Sequence, residues 1–413
     1  MISEFFMKTI YPLENTIQEY AWGSTSALSN LTGKPNKENK PQAELWMGAH
    51  PKAPSKALCD GQWFSLMELI EKYPEEMLGN KTATLFGRQL PFLFKVLAAG
   101  KPLSIQAHPS PQQAREGFER ENRLNIPMDA YNRNYKDESH KPECICALSP
   151  FWALNGFRPI AGILNYFKAL CPHLLTQERR ILKTKPDPQG LREFFKALLT
   201  LSPGQIKDVI EMAVKHAKEL RDRDPVYEWI LKLYEEYHLD VGVLSPAVLN
   251  LVCLKPGQAM YLPAGRLHAY LEGLGIELMA NSDNVLRGGC TPKHMDVPEL
   301  LKVVDFGSND VGILTPTHGT SGSESEGFYF TPAAEFVLSV ITVSQNISHD
   351  SALERSLEIL FCTRGRAKID QFIDNHTLLI SKGESVVIPA AAIPYRIEGN
   401  AVFYKASVPL KSD

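Results

Sequence analysis

Four side chains of this 413-residue chain could hold a divalent metal between them. Gln106-Ala107-His108 places an amide and an imidazole at i and i+2, which on a strand leave from the same face. The surrounding SIQAHP is apolar enough to be a partly buried strand, where an unpartnered Gln and His are costly. A hydrogen-bonded core pair would also satisfy that pattern, so further donors matter. His140-Lys141-Pro142-Glu143 supplies a carboxylate: Lys141 and Glu143 share a face, so Glu143 points inward and His140 away. His268 closes a G-x5-P-x-G-x2-H frame that begins at Gly257. Gln106, His108, Glu143 and His268 would make an N2O2 shell around a dication, leaving a net charge of about +1. That suits Zn²⁺ with one position kept open. The 2-His-1-carboxylate core equally suits Fe(II), so residue types alone leave the metal open.

Elements that position these residues follow from texture. Residues 1 to about 160 read as strand-like runs between turns, including Leu90–Gly100 and Pro102–Pro109. From about 172 to 240 the periodicity is helical. Ser202-Pro203-Gly204-Gln205 is a capping box with a proline start, followed by an apolar face of Ile206, Val209, Ile210, Ala213, Val214 and Ala217. Asp224-Pro225 starts another helix in the same way, with Val226, Trp229, Ile230, Leu233 and Tyr237 as its stripe. Short strands resume at Val248, interrupted by the polar Gly319–Gly327, which reads as a mobile loop or linker.

Self-comparison shows a repeat. Gly257…Pro263 and Gly383…Pro389 share a G-x5-P frame 126 residues apart, and Glu272-Gly273 answers Glu398-Gly399 at the same offset. Here the chain resembles the cupin family, which implies two small β jelly rolls. Gly265 becomes Ala391 and His268 becomes Pro394 in the second copy, so only the first can carry the metal. The expected architecture is mainly β with a helical insertion: two cupin-type jelly rolls plus an α-helical domain. Residues 1–160 and 246–318 would form the catalytic roll, 161–245 the insertion, and 319–413 a roll lacking metal ligands.

Composition narrows the partners. With 44 Lys+Arg against 47 Asp+Glu, net −3, there is no basic excess for an electrostatic nucleic-acid binder. No run approaches the ~18 apolar residues of a membrane helix. The N-terminus does not read as a signal peptide. Seven cysteines, odd in number and scattered, fit reduced thiols in a cytoplasmic protein. A monomer acting on a small molecule is the expectation.

Longer motifs carry a more specific resemblance. IQEYAWGS (17–24), AELWMGAHPKAPS (43–55), LPFLFKVLAAGKPLSIQAHP (90–109), NYKDESHKPE (134–143) and YLPAGRLHAYLEG…GIELMANSDNVLRGGCTPKH (261–294) are similar to the type I phosphomannose isomerase family. The similarity runs from about residue 9 to at least 310; Met7, just before it, is an alternative start to Met1. The departures are Ser139 and Cys290, neither an expected ligand. The resemblance implies one zinc on Gln106, His108, Glu143 and His268, and a catalytic arginine at Arg287. It implies interconversion of mannose 6-phosphate and fructose 6-phosphate, serving mannose catabolism or GDP-mannose synthesis.

That reaction needs a proton carrier, an electrophile for the developing oxyanion and a cationic phosphate pocket. Arg287 can fork toward two oxygens. Glu277 is a candidate base whose pKa an apolar setting would raise; Lys141 is the competing acid/base, and the two stay open. Ser104, Lys293 and Asp283 are candidate substrate contacts, with Lys95 either a further one or the partner of a buried carboxylate. Two rival readings use the same residues: an Fe(II) oxygenase, which has no need of Arg287 and Lys293, and a non-catalytic sugar-binding protein.

Overall fold

A computed structural model describes residues 8–308, 310–318, 324–372 and 377–410. The architecture is mainly β with a helical insertion, built on two large sheets. In the first, the strand order places Glu44–Gly48, Phe92–Ala99, His268–Ala280, Glu143–Ala147 and Ala259–Leu262 side by side. In the second, Glu326–Tyr329, Val337–Val343, Tyr395–Ser407, Glu358–Gln371 and Ser385–Ile388 repeat that order.

The 126-residue repeat is visible as geometry. Gly257 and Gly383 open matching turns at φ +85° and +87°, and Gly273 and Gly399 sit in matching strands at φ +137° and +143°. A Cβ on Gly273 would meet the Phe151 backbone and one on Gly399 the Ala367 backbone, each under 3 Å away, so both positions demand glycine. Corresponding cross-strand rows can be followed through the paired strands, with Lys405 six residues past Gly399 where Glu277 stands four past Gly273. One cross-strand row runs Trp46–Lys95–Glu277–Ile145–Met260 in the first roll. Its counterpart runs Phe328–Ser339–Lys405–Leu360–Val386 in the second. Lys405 lies between two carboxylates, 2.7 Å from Glu326 and 3.1 Å from Glu358.

The rolls share one apolar core. Phe94, Cys144, Cys146 and Ile276 of the first pack with Tyr329, Leu338, Phe361 and Tyr404 of the second. Three strands expected within the first roll extend the second sheet instead: Tyr11–Glu14 pairs with Ser385–Ile388, and Lys56–Cys59 and Gln62–Ser65 follow it in order. Of the expected linker, Gly319–Ser323 lies outside the described residues, and Glu326 and Gly327 already belong to a strand.

Helices of the insertion begin where their capping residues stand. Ser202 caps Pro203–Leu220 with the full capping box, and the Asp224 side chain accepts from Val226 N at the start of Pro225–Tyr237. Further helices lie in the region read as strands and turns, among them Pro111–Arg123, which carries the same box at Ser110 and Gln113. The helical block matters to the site because its core contains Ile105, Ala107, Leu267, Ala269 and Leu286. Strand alternation then sends Gln106, His268 and Arg287 to the opposite face. No helix among the described residues is long and apolar enough to cross a membrane. All seven cysteines are free, and only Cys253 is exposed.

Candidate metal centre and active-site cavity

Strand register builds the site. Gln106 stands directly opposite His268 on one side and Arg287 on the other. Residues paired this way project from one face with Cβ atoms roughly 4.5–5.5 Å apart. Glu143 reaches the same point from its own strand, each carboxylate oxygen facing one imidazole: His108 Nε2 at 3.2 Å and His268 Nε2 at 3.3 Å. The three ligand atoms lie within 4.8 Å of one another, and all three residues are buried.

The hydrogen bonding of the rings shows what the cluster can accept. His108 Nδ1 lies 2.7 Å from the Asn284 carbonyl and His268 Nδ1 2.9 Å from the Arg266 carbonyl. A carbonyl only accepts, so both rings carry their proton on Nδ1 and present bare Nε2 lone pairs. Both Nε2 atoms are buried without a hydrogen-bond partner. Burial pushes the His108 pKa down to about 4, which keeps that ring neutral. Burial would raise the Glu143 carboxyl, but His108 and Lys141, whose Nζ lies 3.2 Å away, outweigh it and hold it well below the usual carboxylate range. Two acceptor nitrogens thus converge on an anion whose close cationic neighbour is Lys141, and neither nitrogen finds a hydrogen-bond donor there. A tetrahedral cation with N and O ligands fits that donor set.

Beside the cluster opens a cavity of about 280 Å³ lined by, among others, Ser104, Gln106, Lys141, Glu143, Glu277, Arg287 and Lys293. Lys95 is on its wall as well, but paired, 3.0 Å from Glu277 and 3.6 Å from Glu44. Burial opposes the Lys95 ammonium; Glu277, Glu44 and Glu143 outweigh it and push its pKa up. Glu277 is raised, by burial first and then by Glu143 and Glu44, against the pull of Lys95. Arg287 and Lys293 also face the cavity, and no anionic side chain pairs with either among the described residues. Lys293 is lowered by burial and by Arg287 and Lys52 nearby.

One sequence-predicted residue lies elsewhere. Asp283 is not part of the cavity wall: its carboxylate is 2.7 Å from Lys52 Nζ and 3.8 Å from His50. His140 faces away, as its spacing required, and meets Glu335 of the second roll at 2.6 Å. Sequence reasoning missed Tyr270 and Glu44. Tyr270 donates to Glu143 at 3.4 Å, and its place two residues after His268 was the available signal. Glu44 accepts from Trp46 Nε1 at 2.6 Å while facing Lys95, and Trp22 forms part of the wall.

Comparison with known proteins places this geometry. A profile for the catalytic domain of phosphomannose isomerase type I matches residues 10–160. Mannose-6-phosphate isomerase of Salmonella typhimurium is 40% identical over 394 residues, covering 94% of this chain and 96% of that protein. The chain belongs to the type I phosphomannose isomerase family. Its Escherichia coli relative in the family is likewise 40% identical, over 395 residues, covering 94% of this chain and 97% of that one. A crystal structure described as holo, zinc-bound mannose 6-phosphate isomerase superposes with a TM-score of 0.88 at 38% identity, covering 97% of this chain and all of that one.

Proposed function

We propose that the protein interconverts D-mannose 6-phosphate and D-fructose 6-phosphate as an aldose–ketose isomerase. One zinc ion would be held by Gln106, His108, Glu143 and His268. The observation that carries this reading is a metal-ligand cluster beside two cations, Arg287 and Lys293, that lack an anionic partner in the cavity. When bound, the metal would supply a Lewis acid for the charge that develops on the sugar's oxygens.

The chain's residues supply the rest. Glu277 takes the proton from C2 of the open-chain aldose, leaving a 1,2-enediolate, and returns it to C1; the hydroxyl proton passes from O2 to O1. Its ion pair with Lys95 fixes the carboxylate, and its raised pKa brings it nearer the working pH of a proton carrier. Lys141 is engaged by Glu143, which favours Glu277 as the base. Arg287, opposite Gln106 in register, would stabilise the enediolate oxygens, a role supported by its guanidinium lining the cavity without an anionic partner among the described residues. Lys293 and Ser104 line the cavity wall and suit the phosphate. The catalytic roll would comprise residues 1–160 and 246–318, with 161–245 inserted and 319–413 as the ligand-free roll. Action as a cytoplasmic monomer in mannose catabolism or GDP-mannose synthesis completes the proposal.

The direct test is a coupled assay of the zinc-loaded protein. Mannose 6-phosphate should be turned over, chelation should abolish the rate, and zinc should restore it. Absence of turnover in the loaded protein overturns the reading, and iron as the native metal would favour an oxygenase. Arg287→Lys tests the arginine: zinc content should stay and kcat should fall by about 10²–10³, because an ammonium cannot reproduce a bidentate fork at developing charge. An unchanged rate would reduce Arg287 to a structural residue.

A further inference from the structure

The most densely bonded polar side chain near the metal centre is Asn284, fully buried in the turn between His268–Ala280 and Leu286–Gly289. Its main-chain carbonyl is the acceptor that fixes the His108 ring at 2.7 Å. Its side chain grips a different segment. Oδ1 accepts from the Lys136 and Asp137 amides at 2.6 and 3.2 Å. Nδ2 donates to the Asp137 carbonyl at 2.8 Å, to the Asp137 carboxylate at 3.2 Å and to the Ser139 carbonyl at 2.8 Å. The neighbouring residues of the turn reinforce the clasp: Ser282 Oγ donates to Asp137 Oδ1 at 2.8 Å, and the Asp283 amide donates to Asp137 Oδ2 at 2.8 Å.

The clasped segment, Lys136–Ser139, runs straight into Lys141 and Glu143. One residue therefore joins two ligands that are far apart in sequence, His108 through its backbone and Glu143 through the chain its side chain holds. Only an amide offers both an acceptor for two N–H groups and donors for two carbonyls. A carboxylate there would place oxygen against the Asp137 and Ser139 carbonyls and the Asp137 carboxylate.

We infer that Asn284 is a positioning residue for the metal centre, setting the protein's affinity for zinc by holding His108 and Glu143 at their mutual distance. The inference rests on the proposal that this site binds zinc. Its effect falls on metal binding and not on the chemistry at the sugar.

The experiment is a zinc competition against a chromophoric chelator, with steady-state kinetics at limiting and at saturating zinc. The unaltered protein is titrated first; if it binds no zinc, the proposed function fails before this inference is reached. Given binding, Asn284→Asp should weaken zinc affinity by about 10–100-fold, the usual effect of removing a group that orients a ligand. At saturating zinc its kcat and its KM for mannose 6-phosphate should return to within a few-fold of the unaltered enzyme. Unchanged affinity overturns the inference, as does a loss of kcat that saturating zinc does not repair. Should Asn284→Asp fail to fold, Ser282→Ala carries the same test: it removes the hydroxyl that bonds Asp137 and Ser139 and accepts from the Asn284 main-chain amide. It should weaken zinc several-fold, and unchanged affinity in that variant overturns the inference.

Discussion

Replacing His268 by alanine is expected to remove zinc and turnover together while the protein stays folded. The substitution deletes a donor whose Nε2 faces Glu143 at 3.3 Å and leaves a buried space where the ring stood. Groups one bond removed from a metal commonly cost about 10–100-fold in affinity, and a direct ligand should exceed that. Metal analysis after dialysis should find little zinc, and the coupled assay no measurable rate. The second roll has Pro394 at the corresponding position and is not built around His268, so its hydrogen-exchange protection should survive. Retained zinc with retained turnover would place the metal elsewhere.

Glu277→Gln should lower kcat by about 10²–10⁴ with zinc bound and KM changed by only a few-fold. The amide keeps the shape of the carboxylate but cannot take a proton from carbon. The pH profile separates this role from a structural one. A base must be ionised to act, so the rate of the unaltered enzyme falls as pH drops through the Glu277 pKa. Burial, Glu143 and Glu44 raise that pKa, so the acid limb should lie above the ordinary carboxylate range, and it should vanish in the amide variant. The change also leaves Lys95 with Glu44 as its remaining close partner, 3.6 Å away. Breaking a buried ion pair costs about 3–5 kcal/mol, so stability must be measured beside the rate. A near-normal kcat would transfer the proton to Lys141.

Much of this was readable before the structure, for identifiable reasons. The His108–Glu143–His268 cluster was legible because Gln106 and His108, and Lys141 and Glu143, stand at the i and i+2 spacing of a strand, at or just beyond the ends of two observed strands. The two rolls were legible because a turn glycine and its proline recur at a fixed offset. The Ser202 and Asp224 caps announced their helices because N-cap chemistry is confined to one turn. The same box at Ser110 went unread because the SIQAHP strand beside it set the texture of the region. What stayed hidden depends on pairings across the chain. Lys95 meets Glu277 182 residues away, and Tyr270 meets Glu143 127 residues away. Asp283 looked available to a substrate until Lys52, 231 residues distant, occupied it. The clasp of Asn284 on Asp137 is of the same kind, since no periodicity within either segment foretells it.

The matching cross-strand rows carry a historical meaning. Two rolls with the same strand order and glycines at the same angles read as descendants of one ancestral gene segment copied in tandem. Since then the same place in the row has come to hold Glu277 in one copy and Lys405 in the other. The first copy surrounds that point with an open cavity; the second closes it with Glu326 and Glu358. The second roll thus keeps a lysine neutralised in its interior between two carboxylates and contributes to a core shared with the first.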